Sequence, residues 1–450
     1  MRHSSMWVGL LLAAGFNQAS AMSLTEAIQS TIDNHPEIHA ASNNRLSADE
    51  ELKIAQGGYL PTVDMLASYG REHTDSPSTR IIGDHNTETL NSRTAELRLR
   101  QMVFDGFYTP NEVARNEAVV NSRAYRTLGA TESLALRTIE VYLDVLKRRE
   151  MVALAENNLQ AHQRIHDQIS MRAERGVGSN ADRDQSQARL ALAENNLYTE
   201  QVNLADAEAN FFSAVGRMPD ELETPASIRG QMPDSVASAR DRVMDNSPLL
   251  KSAQSDVQAA EKQYESAKSK FYPRFDVELS GNADDNIQGD EGHYNRWYAG
   301  VVMNYNLFNG MRDKALLQSG AHKINESMDI RNNALRVLNE NLMLSWNAME
   351  NARLQTPKAR DYASYTSKVR EAYQQQFSLG QRTLLDLLDS ENELFSANRR
   401  YTDVRYTEEF SMYRVVASMG DLLRTHNVVP PSEALARTEV KSEARLPSMK

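Results

Sequence analysis

Four short stretches of the chain alternate apolar and polar residues with a period of two. In the first, Val63, Met65, Ala67 and Tyr69 fall on one face and Thr62, Asp64 and Ser68 on the other, with Leu66 the exception. In the second, Ala95, Leu97, Leu99 and Val103 oppose Glu96, Arg98 and Arg100. The third sets Phe275, Val277 and Leu279 against Arg274, Asp276, Glu278 and Ser280. The fourth sets Trp297, Ala299, Val301, Met303, Tyr305 and Leu307 against Asn304 and Asn306. Side chains of a strand point alternately to its two faces, so the pattern predicts strands at about 61–70, 93–104, 273–281 and 296–308. Each is close to the ~10 residues that a tilted strand needs to cross a bilayer. Residues 70–92 and 281–295, between the paired strands, read as polar loops.

Elsewhere the period is helical. Residues 23–57 start at a capping signal, Ser23 with Glu26, restart at Pro36 and stop at Gly57-Gly58. Residues from about 110 to 175 contain one glycine, Gly129, and no proline after Pro110. At ~1.5 Å per residue they make a rod of roughly 100 Å. Ile139, Leu146 and Ala153 lie seven apart, as do Val145, Val152 and Leu159, so the rod is expected to carry two adjacent seams. A return helix follows at about 179–215. The later rods, about 311–378 and 383–419, repeat the interval at Leu335, Leu342 and Met349 and at Leu387, Leu394 and Tyr401; Pro357 is expected to bend the first of them.

The chain is also written twice. Asp33, Asn34, Pro36, Ala41, Ala48, Ala55, Pro61 and Asp64 recur 212 positions later, and Phe104, Gly106, Gly176, Ser186 and Gly216 recur 204 positions later. The fold class expected is mixed α and β, mainly α, with a duplicated helix-strand-strand-helix-helix unit. The first unit is 22–216, a connector 217–236, the second unit 237–420, and 421–450 a mobile C-terminal tail.

An antiparallel sandwich would also alternate, but four strands with opposed charges on their polar faces suit a wet lumen better. Four strands cannot close a barrel, and hydrocarbon does not tolerate an open edge. If these strands span a membrane, identical neighbours must complete the cylinder. Residues 1–21 read as a secretory signal peptide: a basic start at Arg2, a short apolar run from Trp7 to Phe16, and small residues Ala19-Ser20-Ala21. No later window has the length and apolarity of a membrane helix. Cysteine is absent, which excludes a disulfide framework and a lipid-bearing N-terminal cysteine. The net charge of −11 argues against nucleic acid as a partner.

No catalytic constellation is present, and no cofactor is expected. His162 and His166, four apart on a helix, could share a metal, but two solvated positions are the plainer reading and no metal site is assigned. Asp386 and Asp389 project from one helical face at i, i+3. Asp386 has two readings: the N3 residue of a capping box with Thr383, matched by Ser179 and Asp182 in the first copy, or part of an acidic constriction. Capping does not explain Asp389, whose counterpart is Gln185. Arg382 either pairs across a helix interface or stands exposed on its turn. The reversals between rods are Gly176-Val177-Gly178-Ser179 and Leu379-Gly380-Gln381-Arg382-Thr383.

The stretch from Phe377 to Asp389 resembles the periplasmic tip of the TolC-type outer-membrane channels. The duplicated unit and the steps Phe104-Asp105-Gly106 and Phe308-Asn309-Gly310 are similar as well. The resemblance covers about residues 22–420. It implies a homotrimer with a twelve-stranded barrel in the outer membrane of a Gram-negative bacterium, surrounded by outer-membrane lipid and continued by a helical barrel through the periplasm. It also implies a periplasmic adaptor (membrane fusion protein) and an inner-membrane transporter of the ABC type, with an exported protein or small molecule as cargo. By the same resemblance Asp386 and Asp389 form a constriction, and Arg382, Asp182 and Phe377 belong to the gate latch. Gly176, Val177, Gly178, Leu379 and Gly380 form the adaptor-docking tips. Phe377 departs from the pattern, because an aromatic hydroxyl stands there in the best-understood members. The pattern looks most like the branch serving type I protein secretion. Small-molecule efflux and a soluble periplasmic coiled-coil scaffold remain as alternatives.

Overall fold

The computed structural model describes residues 21–82 and 87–445. Apart from Ala21, the expected signal peptide lies outside the described residues. The chain is mainly helical with one small antiparallel sheet. Its elements run α1 (Leu24–Asn34), α2 (Pro36–Gly57), β1 (Thr62–Thr74), α3 (Pro77–Ile82), β2 (Glu88–Phe104), α4 (Tyr108–Glu174) and α5 (Asn180–Val215). The second half holds α6 (Val236–Asn246), α7 (Pro248–Ala267), β3 (Arg274–Asp285), β4 (His293–Asn304), α8 (Arg312–Ser378), α9 (Leu384–Ser418) and α10 (Leu422–Thr425). The start of α1 is the capping box of Ser23 and Glu26, and both α2 and α7 have proline in the first turn, where its missing N–H is no loss. α8 runs unbroken through Pro357.

The sheet has the order β1-β2-β3-β4, so the two copies meet at its centre, where β2 pairs with β3. Its strands reach further into the polar connections than the alternation predicts. β1 and β2 stay paired to Thr74↔Glu88, and β3 and β4 to Asp285↔His293. The extra rungs carry mainly polar side chains on both faces, Leu90, Ala283 and Tyr294 excepted, which removes the period-two signal but leaves the backbone ladder intact. One face presents Val63, Met65, Tyr69, Leu97, Leu279, Trp297 and Val301 outward, Trp297 being 81% exposed. The other carries charge: Arg100 Nε of β2 donates across to Glu278 of β3 at 2.8 Å, and along β3 Arg274 pairs with Asp276 at 2.9 Å. β1 and β4 each leave one edge unpaired among the described residues.

The main core lies part-way along the long helices. There α1, α4, α5, α6, α8 and α9 converge on Ile28, Ile139, Tyr142, Phe211, Leu335, Leu342, Tyr413 and Val416. The Tyr142 hydroxyl sits 2.7 Å from the carbonyl oxygens of Met22 and Glu223, tying the start of the fold to the connector. A second, smaller core of Ile165, Ile169, Phe377, Leu384, Leu387 and Leu388 lies at the far end of the rods. The seam of α4 shifts between these cores. Ala153 is exposed, and the buried residues are Met151, Asn158 and Ile165 and, beside them, Ala155, His162 and Ile169. Both rows keep the interval of seven, but polar Asn158 and His162 hide them from a hydrophobic count.

Of the tail expected to be mobile, the described part, residues 421–445, is packed. Val428, Ala434, Val440 and Ala444 are buried. Backbone N–H groups of Arg437, Val440 and Glu443 donate to Asn121 (2.9 Å), the Tyr125 hydroxyl (3.1 Å) and Gln254 (3.1 Å). Side chains of α4 and α7 thus satisfy a segment that forms no ladder of its own.

Candidate functional site: the tips of the helical rods

Each pair of rods reverses through a tight turn built in the same way. At the end of α4, Val177 N donates to Arg172 O and Gly176 N to Ala173 O, both at 3.0 Å. At the end of α8, Gln381 N donates to Gln376 O at 2.9 Å and Gly380 N to Phe377 O at 3.0 Å. Both are Schellman closures, which place the residue after the cap in the left-handed region. Gly176 (φ +75°) and Gly380 (φ +71°) occupy that position. Gly178 has a different reason to be glycine: a Cβ there would lie 2.8 Å from the backbone nitrogen of Ala173. The closures leave Val177 and Leu379 pointing into solvent, 77% and 71% exposed.

Asp386 is the N3 residue of the capping box that opens α9, with Thr383 as the N-cap. Its amide donates to Thr383 Oγ1 at 3.2 Å, its carboxylate accepts from Thr383 N at 3.3 Å, and the Thr383 hydroxyl lies 2.8 Å from the same oxygen. The Thr383 hydroxyl, the Thr383 backbone N–H and the charge of Arg382 together hold its carboxyl below the usual aspartate range. The equivalent box in the first copy does not form: Ser179 Oγ accepts from Ala181 N at 3.1 Å, and the Asp182 carboxylate has no hydrogen bond or ion pair among the described residues. Asp389, one turn further in, accepts from Arg189 of α5 at 2.9 Å.

Arg382 is held on its own hairpin. Its Nε donates to Gln376 Oε1 at 2.9 Å, its guanidinium lies 4.2 Å from the Tyr373 ring centre, and Asp386 is 3.8 Å away. Within one chain, therefore, Arg382 and Asp182 are not brought together. Phe377 is buried against α4, where the Arg172 guanidinium covers its ring at 5.1 Å. Its lack of a hydroxyl fits that apolar pocket.

His162 and His166 do not present a solvated face. His162 is buried with Nδ1 unpartnered, and burial followed by the charge of Arg189 keeps its imidazole less basic than usual. His166 Nδ1 is 2.9 Å from Ser186 Oγ. Among the described residues no group of three His, Cys, Asp or Glu could hold a metal. Arg189, Arg172 and Tyr373 are the tip residues that sequence reading missed. Arg189 could have been found from the unexplained Asp389, since α5 is the neighbouring return helix.

The architecture is that of a membrane channel protomer, with an amphipathic open sheet at one end and paired helical hairpins at the other. The family model described as outer membrane efflux protein matches residues 27–217 and 239–420, and the chain belongs to that family. It is similar to the outer membrane efflux protein BepC of Brucella suis, 25% identical over 89% of this chain and 86% of that one. The alkaline protease secretion protein AprF of Pseudomonas aeruginosa is 23% identical, over 90% of this chain and 86% of its own. Among solved structures, the Campylobacter jejuni CmeC outer membrane channel superposes with a TM-score of 0.78 at 15% identity, covering 89% of this chain and 86% of that one. The chain is thus a channel protein of the Gram-negative outer membrane that extends into the periplasm, and it is not an enzyme. None of its described helices is long and apolar enough to cross a membrane.

Proposed function

We propose that three copies of this chain close one twelve-stranded barrel in the outer membrane and continue it as a helical duct. Through this duct a periplasmic adaptor and an inner-membrane ABC-type transporter export a polypeptide. The observation that carries the reading is a four-stranded sheet with an outward apolar band and two free edges. Such edges cannot face hydrocarbon, so neighbours complete them. The duct does no chemistry and depends on its partner for energy.

Polypeptide cargo is supported by the likeness to AprF, whose name is that of a protease secretion protein. The likeness to BepC, named as an efflux protein, favours the second reading, small-molecule efflux. Deleting the gene and comparing the culture medium with drug sensitivity separates the two. Loss of one secreted polypeptide, restored by the intact chain, supports secretion; hypersensitivity alone supports efflux.

At the tips, Asp386 and Asp389 form the acidic constriction, with Arg382 the latch and Asp182 and Phe377 its surroundings. Arg382 leaves Gln376 and Tyr373 when it engages a neighbouring hairpin. Gly176, Val177, Gly178, Leu379 and Gly380 form the adaptor-docking surface, on which Val177 and Leu379 supply the apolar contact. Rings of carboxylates at a narrow pore bind cations. Asp386→Ala with Asp389→Ala is expected to raise closed-state conductance in planar bilayers and to remove block by multivalent cations. An unchanged cation response would refute the constriction.

A further inference from the structure

We infer that Arg189 sets the charge of the constriction and clasps the seam between the two return helices of a single chain. The inference rests on the duct reading and deepens it. Arg189 Nη2 donates to Asp389 Oδ1 at 2.9 Å, joining α5 of the first copy to α9 of the second. Neither side chain has another ion-pair partner among the described residues. α5 packs chiefly on α4, and α9 on α8 and α4, so direct contact between the two return helices is slight. The ion pair is therefore a principal link between them near the tips.

The duplication makes this link one-sided. A shift of 204 positions carries Arg189 to Glu393 and Asp389 back to Gln185. In a ring where α5 and α9 alternate, the seam inside each chain carries Arg189 and Asp389. The equivalent seam between chains carries Glu393 and Gln185, which cannot form an ion pair, and Glu393 already accepts from the Tyr362 hydroxyl at 3.2 Å. The two kinds of seam differ in strength, and the ring parts between chains before it parts within one.

The same pair alters selectivity. Each Asp389 carboxylate is matched by a guanidinium, so the resting constriction is less acidic than its aspartates suggest. The side chains are 30% and 57% exposed, in water and open to salt screening. Such a pair yields when the tips open, and opening then uncovers the Asp389 charge to the passing cargo.

The test uses the full chain purified in detergent and reconstituted in planar bilayers, with hexamminecobalt(III) as the blocking probe. Arg189→Gln is expected to tighten block by about tenfold, because each chain gains one unpaired carboxylate. Arg189→Gln combined with Asp389→Asn is expected to lose that gain, which a merely structural role for Arg189 would not produce. Unchanged or weaker block in Arg189→Gln, with wild-type channels conducting, overturns the inference alone. Absence of any channel in the wild type overturns the duct reading instead.

A second measurement addresses the clasp without conductance. The chain has no cysteine, so introduced pairs are unambiguous. A short bis-maleimide should join Arg189→Cys to Asp389→Cys within one chain, leaving monomer mass under denaturing conditions. It should join Gln185→Cys to Glu393→Cys between chains, giving multiples of that mass. Failure of the first pair to react within a chain defeats the clasp.

Discussion

Replacing Gly178 by leucine is expected to abolish export while leaving the assembled oligomer intact. The backbone at Gly178 is not left-handed; the constraint is room. A Cβ would meet the nitrogen of Ala173 at 2.8 Å and the carbonyl carbon of Arg172 at 3.0 Å, both backbone atoms of α4 that no rotamer change can move. Overpacking costs on the order of 1–3 kcal/mol even where side chains can yield. Here the turn must open and the Schellman bonds of Gly176 and Val177 are lost with it. The tip lies far from the main core around Tyr142 and Tyr413, so assembly is spared. Gly380 provides the contrast: its substituent would meet open space, and only its φ of +71° is restrictive. Gly380→Asn, a residue that tolerates the left-handed region, is expected to export near wild-type levels. Secretion into the medium and oligomer yield in detergent check both variants. Export by Gly178→Leu would show that the turn has slack, and loss of its oligomer would make Gly178 a folding residue.

The second large effect is a pH dependence centred on Glu132. This α4 carboxylate is 7% exposed and accepts the N–H groups of Leu422 (3.0 Å) and Leu423 (3.2 Å), which open α10. Burial pushes its pKa up to about 7; the two N–H groups and Arg424 oppose the shift, and Asp421 adds to it. Asp421 is itself raised by burial. The folded chain therefore keeps the Glu132 proton up to about pH 7, whereas the unfolded chain releases it near pH 4.5. Between those values the folded state binds more protons, so stability is highest below the unfolded pKa and falls as pH rises through 7. The difference for this group is about 3 kcal/mol. Glu132→Gln cannot ionise, and its amide oxygen still accepts one N–H. Urea unfolding at about pH 5 and about pH 8 should show a shallower loss of stability for the variant. Equal losses would mean that Glu132 is charged in the folded state.

Much of the fold was legible because its elements are long and its copies agree. Trp297, Val301 and Leu279 announced strands because they alternate with polar residues at a period of two. The sequence was silent where the physics is not periodic. Thr74, Glu88, Asp285 and His293 continue the sheet beyond the apolar band, where both faces are wet and alternation has no purpose. Asn158 and His162 fill a helix seam as polar residues, so the α4 seam was followed to Ala153 on the wrong face. The tail backbone is held by hydrogen bonds with the side chains of Asn121, Tyr125 and Gln254, a contact type that leaves no trace in composition. At the tips, the capping of Asp386 could be read from Thr383-x-x-Asp386. The partner of Asp389 carries no local motif, because Arg189 is 200 residues away on the other copy; the only signal was that capping leaves Asp389 unexplained.

The most direct test of the account is the protein mass of the detergent-extracted particle, measured by light scattering with the detergent contribution subtracted. Unpaired outer edges on β1 and β4 demand neighbours, so the account expects three chains per particle. A monodisperse species with the mass of one chain, its sheet shielded by detergent alone, would contradict it.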